Sequence, residues 1–214
     1  MQCYIDITLL PDTDISADFL WHKVFQQVHI ALAENKIGPN KSAIAVGFPD
    51  YRQGDFPLGH RLRLFAQTKE EFEQLNIHRW LSRLTDYVHI KAVKPVPEGV
   101  QDYAYFKRWN YKSPQRLYKN LDRRAAAIAS KNGYDEAEVK RRLLENIKTD
   151  DKRWSLPFIQ VTSLSSQKRA GRTEEFALYI ERETTKQPPN KDQPFTCYGL
   201  SRREPDQQSA VPCF

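Results

Sequence analysis

The side chains here best suited to moving a proton at neutral pH are five histidines: His22, His29, His60, His78 and His89. His29 is set apart by its place, one helical turn after Phe25 and directly after Val28, at the border of an apolar stripe. An imidazole titrating near about 6.5 can both give and take a proton there. By composition alone, a lone histidine at such a border is more often a partly buried structural residue than a catalyst. His22 lies two turns earlier and can share its face, but two histidines without a third ligand make a weak metal site. Serines cluster once, in the run TSLSS that holds Ser163, Ser165 and Ser166. No GxSxG elbow surrounds them, which argues against a hydrolase nucleophile. Tyr198 sits in FTCYGLS, where Gly199 permits a tight turn.

A second kind of chemistry is written in KRWNYKSPQRLYKNLDRR, residues 107–124. Seven basic residues face one acid, Asp122, and Trp109, Tyr111 and Tyr118 are interleaved with them. Ser113 as N-cap and Pro114 in the first turn predict a helix. Spacings of three and four then bring Arg116, Lys119, Asn120, Arg123 and Arg124 to one side, away from Leu117 and Leu121. Such a ridge matches a phosphate backbone. On charge alone a solvated helix face fits equally well.

The formal charge is +6, and it is unevenly placed. Residues 1–96 hold 11 Lys/Arg and 11 Asp/Glu, while the other 22 and 16 follow, so the whole excess lies in the later half. All five histidines lie in the first. Two modules are expected, the later one meeting a polyanion. Cys3, Cys197 and Cys213 are scattered and odd in number, as expected of a reduced, cytoplasmic protein without structural disulfides or a zinc site. No apolar run approaches a membrane span, and the first residues carry no signal pattern.

The elements that must position these residues follow from periodicity. Residues 2–9 alternate as a half-buried strand. Asp12, Asp14 and Ser16 start a helix whose apolar positions run from Phe19 to Leu32. Strands are predicted at 42–48 and 58–65, a helix at 68–84 capped by Thr68, and a strand at 87–92. The order strand–helix–strand–strand–helix–strand predicts a ferredoxin-like (RRM-like) domain over 1–94, in an α+β chain. A Pro-rich linker at 94–99 then leads to a second α+β domain, 95–214, with the arginine-rich helix. A further helix is expected at 135–147, strands at 156–163, 175–180 and 195–200, and an irregular tail. The aromatic platform usual for stacking single-stranded bases is not evident, so the fold alone does not assign a function.

The conjunction of segments does more. YIDITLLPD, QVHIAL, IAVGFPD, LGHRLRL, the basic helix, LPF at 156–158, TSLSS and above all FTCYGLS resemble the CRISPR repeat-processing endoribonucleases of subtype I-F systems, in order and over nearly the whole chain. The resemblance implies a metal-independent enzyme, without cofactor, that cuts precursor RNA at the base of the repeat stem-loop. A ribose 2′-hydroxyl attacks the adjacent phosphorus, leaving a 2′,3′-cyclic phosphate and a 5′-hydroxyl, so DNA is not a substrate. It further implies that the product hairpin stays bound and that the chain is a subunit of a type I-F crRNA-guided surveillance complex. The alternative is a binding subunit that anchors such a complex without cutting. A DNA-binding regulator would need a groove-reading helix pair and dimer symmetry, and neither is found.

On that resemblance His29 matches the proton-transfer residue, Ser163 the serine that holds the ribose (with Ser165 the alternative), and Tyr198 the tyrosine that orients the histidine or a backbone group. Phe176 matches the aromatic stacked beneath the terminal base pair. Arg108 and Asn110 match two linker residues that read base edges in the major groove; Asn110 stands where the family has the longer Gln, which leaves open the base it reads. Lys112, Arg116, Lys119, Asn120, Arg123 and Arg124 are expected to bind RNA, although Lys119 and Asn120 occupy places where arginine is common. Lys168, Arg169 and Arg172 fit either extra phosphate contacts or a solvated loop.

Overall fold

The computed structural model describes residues 1–110, 120–145, 155–163, 175–190 and 192–214. Lys112, Ser113, Pro114, Arg116, Lys119, Ser165, Lys168, Arg169 and Arg172 lie outside the described residues. The chain is α+β, and it divides into two compact units, 1–109 with 157–214, and 110–156.

Strand β1 (Cys3–Leu9) buries Cys3, Ile5, Ile7 and Leu9 as the alternation requires. Its opposite face is not left to water. Asp6 is 4% exposed and accepts two bonds from Arg63, 2.6 Å from Nε and 3.0 Å from Nη2. The Arg63 guanidinium lies against both the Tyr4 and Phe214 rings, 4.5 and 4.1 Å from their centroids, and the two rings meet edge-on at 5.0 Å. A buried ion pair of this kind is tolerated because its hydrogen bonds are satisfied.

Helix α1 (Ala17–Glu34) starts where Ser16 accepts the Phe19 N–H, and it buries Leu20, Trp21, Val24, Phe25, Val28, Ala31 and Leu32. β2 (Ala45–Gly47) and β3 (Arg61–Ala66) are the cores of the two predicted strands. The helix expected over 68–84 is broken. α2 (Lys69–Leu75), with a Thr68–Glu71 capping box, stops at Asn76, which turns left-handed at φ 46° before α3 (Ile77–Trp80). Asparagine is among the few residues that accept this conformation at low cost. β4 (Val88–Ile90) completes an antiparallel sheet ordered β2-β3-β1-β4. The start of the predicted linker is ordered, since β5 (Lys94–Pro95) also pairs with β1.

A second antiparallel sheet, ordered β7-β8-β6-β9, contains β6 (Tyr103–Trp109), β7 (Phe158–Thr162), β8 (Glu175–Thr185) and β9 (Val211–Pro212). Strand β6 was not expected, because its basic residues hide the alternation that buries Ala104 and Phe106. Lys107 is itself 6% exposed and bonds Glu183 at 2.5 Å. It is a sheet residue and not part of an exposed basic ridge. The two sheets share one core, in which Phe48 meets Phe106 edge-on at 5.3 Å and the Tyr51 hydroxyl donates to the Ile180 carbonyl.

The other unit contains helices α4 (Leu121–Asn132) and α5 (Glu136–Glu145). They pack through Ala125, Ala129 and Val139, with Ile128 and Leu143 at the margin. Gly133 ends α4 in the left-handed region, and the Asp135 carboxylate caps α5 by accepting the Glu138 N–H. Arg123 and Arg124 are exposed, and Lys140 pairs with Asp122, the acid among them.

Candidate active site

The segment predicted as a strand at 195–200 is instead a docked turn. Phe195 alone bridges to Ser42, with N–H to carbonyl bonds in both directions. The chain then reverses, the Gly199 N–H donating to the Thr196 carbonyl and the Thr196 N–H to that of Leu200. Two bonds fix the turn to the first sheet's end of the molecule: Val46 N–H to the Gly199 carbonyl at 2.8 Å, and Cys197 N–H to Asn40 Oδ1 at 3.1 Å. Gly199 has φ +70°, and a Cβ there would lie 2.3 Å from Val46 Cγ2. Only glycine fits such a close approach.

This turn receives His29. The imidazole Nδ1 lies 2.9 Å from the Cys197 carbonyl oxygen, which can only accept, so Nδ1 carries the proton and donates it. In the neutral ring Nε2 is then the basic atom. The Tyr198 ring lies flat on the imidazole, with centroids 3.9 Å apart and planes 7° from parallel. Burial lowers the His29 pKa below its ordinary value; the Cys197 bond opposes this, and the Arg108 charge adds to it. Burial raises that of Tyr198. Burial therefore favours the neutral imidazole, while the Cys197 carbonyl fixes its tautomer and Tyr198 covers its face.

Arg108, near the end of β6, places its Cζ 4.9 Å from the Phe176 centroid and 5.8 Å from that of Tyr198. Two expected site residues, Phe176 and Tyr198, thus gather around the guanidinium of a third. Phe176 pairs with Val161, close to the end of β7 that continues into Ser163. Ser163 is half-buried and directly follows Thr162, whose N–H donates to Gln26 Oε1 of α1 at 2.9 Å. One turn earlier, His22 Nδ1 lies 2.8 Å from the Gln160 carbonyl. Helix α1 therefore runs alongside β7 and leads toward Ser163 at the end that bears His29.

Asn110 is exposed and opens the other unit, in which Asn120 lies at the N-terminus of α4 with its side-chain carbonyl 3.1 Å from Arg123 Nη2. Sequence reading passed over several supports. Gln26 and Asn40 are polar residues in otherwise ordinary helix and turn contexts. Arg203, in the tail expected to be irregular, lies 4.3 Å over the Trp109 ring and donates to the Arg108 carbonyl. Only the Gly-Pro-Asn turn at 38–40 carried a sequence signal for any of these.

Comparison with known proteins gives the family. The family described as CRISPR-associated protein (Cas_Csy4) matches residues 4–214. The chain belongs to this family. Among curated relatives it is similar to the CRISPR-associated endonuclease Cas6/Csy4 of Escherichia coli (strain UTI89 / UPEC), 30% identical over 201 residues, covering 94% of this chain and 96% of the relative. It is also similar to the CRISPR-associated endonuclease Cas6/Csy4 of Pseudomonas aeruginosa (strain UCBPP-PA14), 30% identical over 203 residues with the same coverage. The family match takes in helix α1 and the FTCYGLS turn, since it runs from residue 4 through the last residue. No described helix is long and apolar enough to cross a membrane.

Proposed function

We propose that this Csy4-family chain is a metal-independent endoribonuclease that cleaves CRISPR precursor RNA at the base of the repeat stem-loop and keeps the product hairpin. The nucleophile is the RNA's own 2′-hydroxyl. It attacks the adjacent phosphorus, the bond to the 5′-oxygen breaks, and a 2′,3′-cyclic phosphate and a 5′-hydroxyl result. His29 Nε2 moves a proton in this exchange, while Ser163 holds the ribose and Tyr198 keeps the imidazole in plane. Alignment of the attack and a fixed proton acceptor are the contributions such a site can make without activating a protein nucleophile.

The observation that carries the reading is the His29 imidazole, fixed through Nδ1 by the Cys197 carbonyl and stacked on Tyr198, with its basicity lowered by burial. Phe176 stacks beneath the last base pair, and Arg108 and Asn110 read base edges beside it. Lys112, Arg116, Lys119, Asn120, Arg123 and Arg124 hold the stem. Residues 1–94 thus supply the catalytic histidine and 95–214 the RNA grip, in a cytoplasmic subunit of a type I-F surveillance complex.

The test is incubation with the host's repeat RNA in EDTA, followed by end-group analysis. Cyclic phosphate and 5′-hydroxyl ends are expected, with no cleavage when the ribose at the cut site is 2′-deoxy. Cleavage of the deoxy substrate overturns the chemistry.

A further inference from the structure

Gln26 is 9% exposed, although it lies on a helix whose other buried positions are apolar. Its amide engages one residue from both sides: Oε1 accepts the Thr162 N–H at 2.9 Å, and Nε2 donates to the Thr162 carbonyl at 3.4 Å. Thr162 is the last residue of β7, an edge strand of the second sheet. Its neighbour on the sheet side is β8, so among the described strands these outward groups have no ladder to join. A buried amide that satisfies them works as a one-residue extension of the sheet. His22 does the same for the Gln160 carbonyl, two residues back on the same outward edge.

The consequence is geometric. Residues 22, 26 and 29 project from adjacent turns of one rigid helix, and each bonds a backbone group of a segment distant in sequence. The first two fix the end of β7, and the third meets the Cys197 turn. The Thr162 carbonyl held by Gln26 belongs to the peptide whose nitrogen is that of Ser163. We infer that Gln26 is a positioning residue for cleavage: it fixes Ser163 at a set distance from His29 by tying both to α1. This rests on the role proposed above for Ser163. Errors of about 1 Å in such an alignment can cost roughly a hundredfold in rate.

The experiment is a double-substitution cycle in the full chain, with single-turnover cleavage of the repeat hairpin and its Kd measured in EDTA. Gln26→Met keeps the length and removes both bonds; it is expected to slow cleavage roughly 10- to 100-fold with Kd within about threefold. Gln26→Glu keeps only the bond from the Thr162 N–H and is expected to fall between, which serves if the Met variant folds poorly. In a Ser163→Ala background the Gln26→Met change is expected to cost less than about threefold, because the group it positions is gone. A wild-type rate for both Gln26 variants, or the same fold-loss with and without Ser163, overturns the inference. If Ser163→Ala alone cleaves at the wild-type rate, the Ser163 role fails, and that outcome is distinct from a silent Gln26.

Discussion

His29 and Tyr198 lie face to face, their ring centroids 3.9 Å apart and their planes 7° from parallel. The two residues lie far apart in sequence, and the tertiary fold of the first unit brings them together. Since the ring face makes the contact, Tyr198→Phe is expected to retain cleavage within about threefold. Tyr198→Ala frees the imidazole, and with aromatic pairs worth about 0.5–1.5 kcal/mol it is expected to slow cleavage up to roughly tenfold. Equal losses in the two variants would instead assign the work to the hydroxyl.

Removing the imidazole separates chemistry from grip. His29→Ala is expected to abolish cleavage of the cognate hairpin in EDTA while leaving Kd within a few-fold, because none of the residues assigned to hold the stem is touched. Cleavage at the wild-type rate in that variant removes His29 from the reaction.

The pH dependence follows from the direction of the His29 shift. Burial outweighs the favourable Cys197 bond, and the folded-state pKa lies below the ordinary value. If neutral His29 takes the proton, the single-turnover rate rises with pH through that lowered pKa and is level by neutrality. Stability obeys the same sign. Below the ordinary histidine pKa of about 6.5 the unfolded chain binds a proton that the folded chain does not, so stability falls with decreasing pH until the folded pKa is passed. His29→Asn is expected to flatten that decline in urea unfolding titrations between pH 7 and 5; an unchanged slope would place the titrating group elsewhere.

Much of this was legible in the sequence, and what escaped has identifiable causes. The alternation of residues 2–9 and the apolar period around Val24 and Val28 located β1 and α1, because one face of each is buried. Strand β6 escapes because Lys107 is buried within the sheet and paired with Glu183, so charge masks period. The helix over 68–84 was read too long because Asn76 turns left-handed, a choice that local pattern does not announce. FTCYGLS carries the composition of a strand but folds as a turn. Its β-rich composition serves a turn whose hydrogen bonds go to Ser42, Val46 and Asn40, partners far away in sequence. The resemblance, and not composition, singles out His29; the Cys197 carbonyl that sets its tautomer is backbone, and no side chain advertises it.

Gly199 is where turn and sheet are closest. Gly199→Ala must place a Cβ 2.3 Å from Val46 Cγ2 and 3.0 Å from the Val46 nitrogen, at φ +70°. The left-handed conformation alone costs about 1–2 kcal/mol, and the contact with Val46 adds to it. A fall in Tm of roughly 3–8 °C is expected, together with slower cleavage as Tyr198 and the Cys197 carbonyl shift from His29. Cleavage at the wild-type rate despite the lowered Tm would show that the turn tolerates displacement without loss of the His29 geometry.

Arg123 and Arg124 supply the last test, since both are exposed on α4 while Leu121 and Ala125 face inward. Charge alone cannot tell a phosphate-binding face from a solvated one, but salt can. Each phosphate contact on RNA contributes about 0.7–0.9 to the slope of log K against log salt. Replacing both arginines by alanine is expected to flatten that slope by roughly 1.4–1.8 and to weaken cognate and mutated stems alike. Arg108→Ala should behave differently. Its guanidinium lies over Phe176 and is assigned to a base edge, so discrimination at one position is expected to fall by about 1–3 kcal/mol while the salt slope changes little. Competition between cognate and single-substituted hairpins at two salt concentrations separates the two behaviours. An unchanged slope in the α4 variant would return that helix face to solvent and leave RNA grip to Lys112, Arg116 and Lys119.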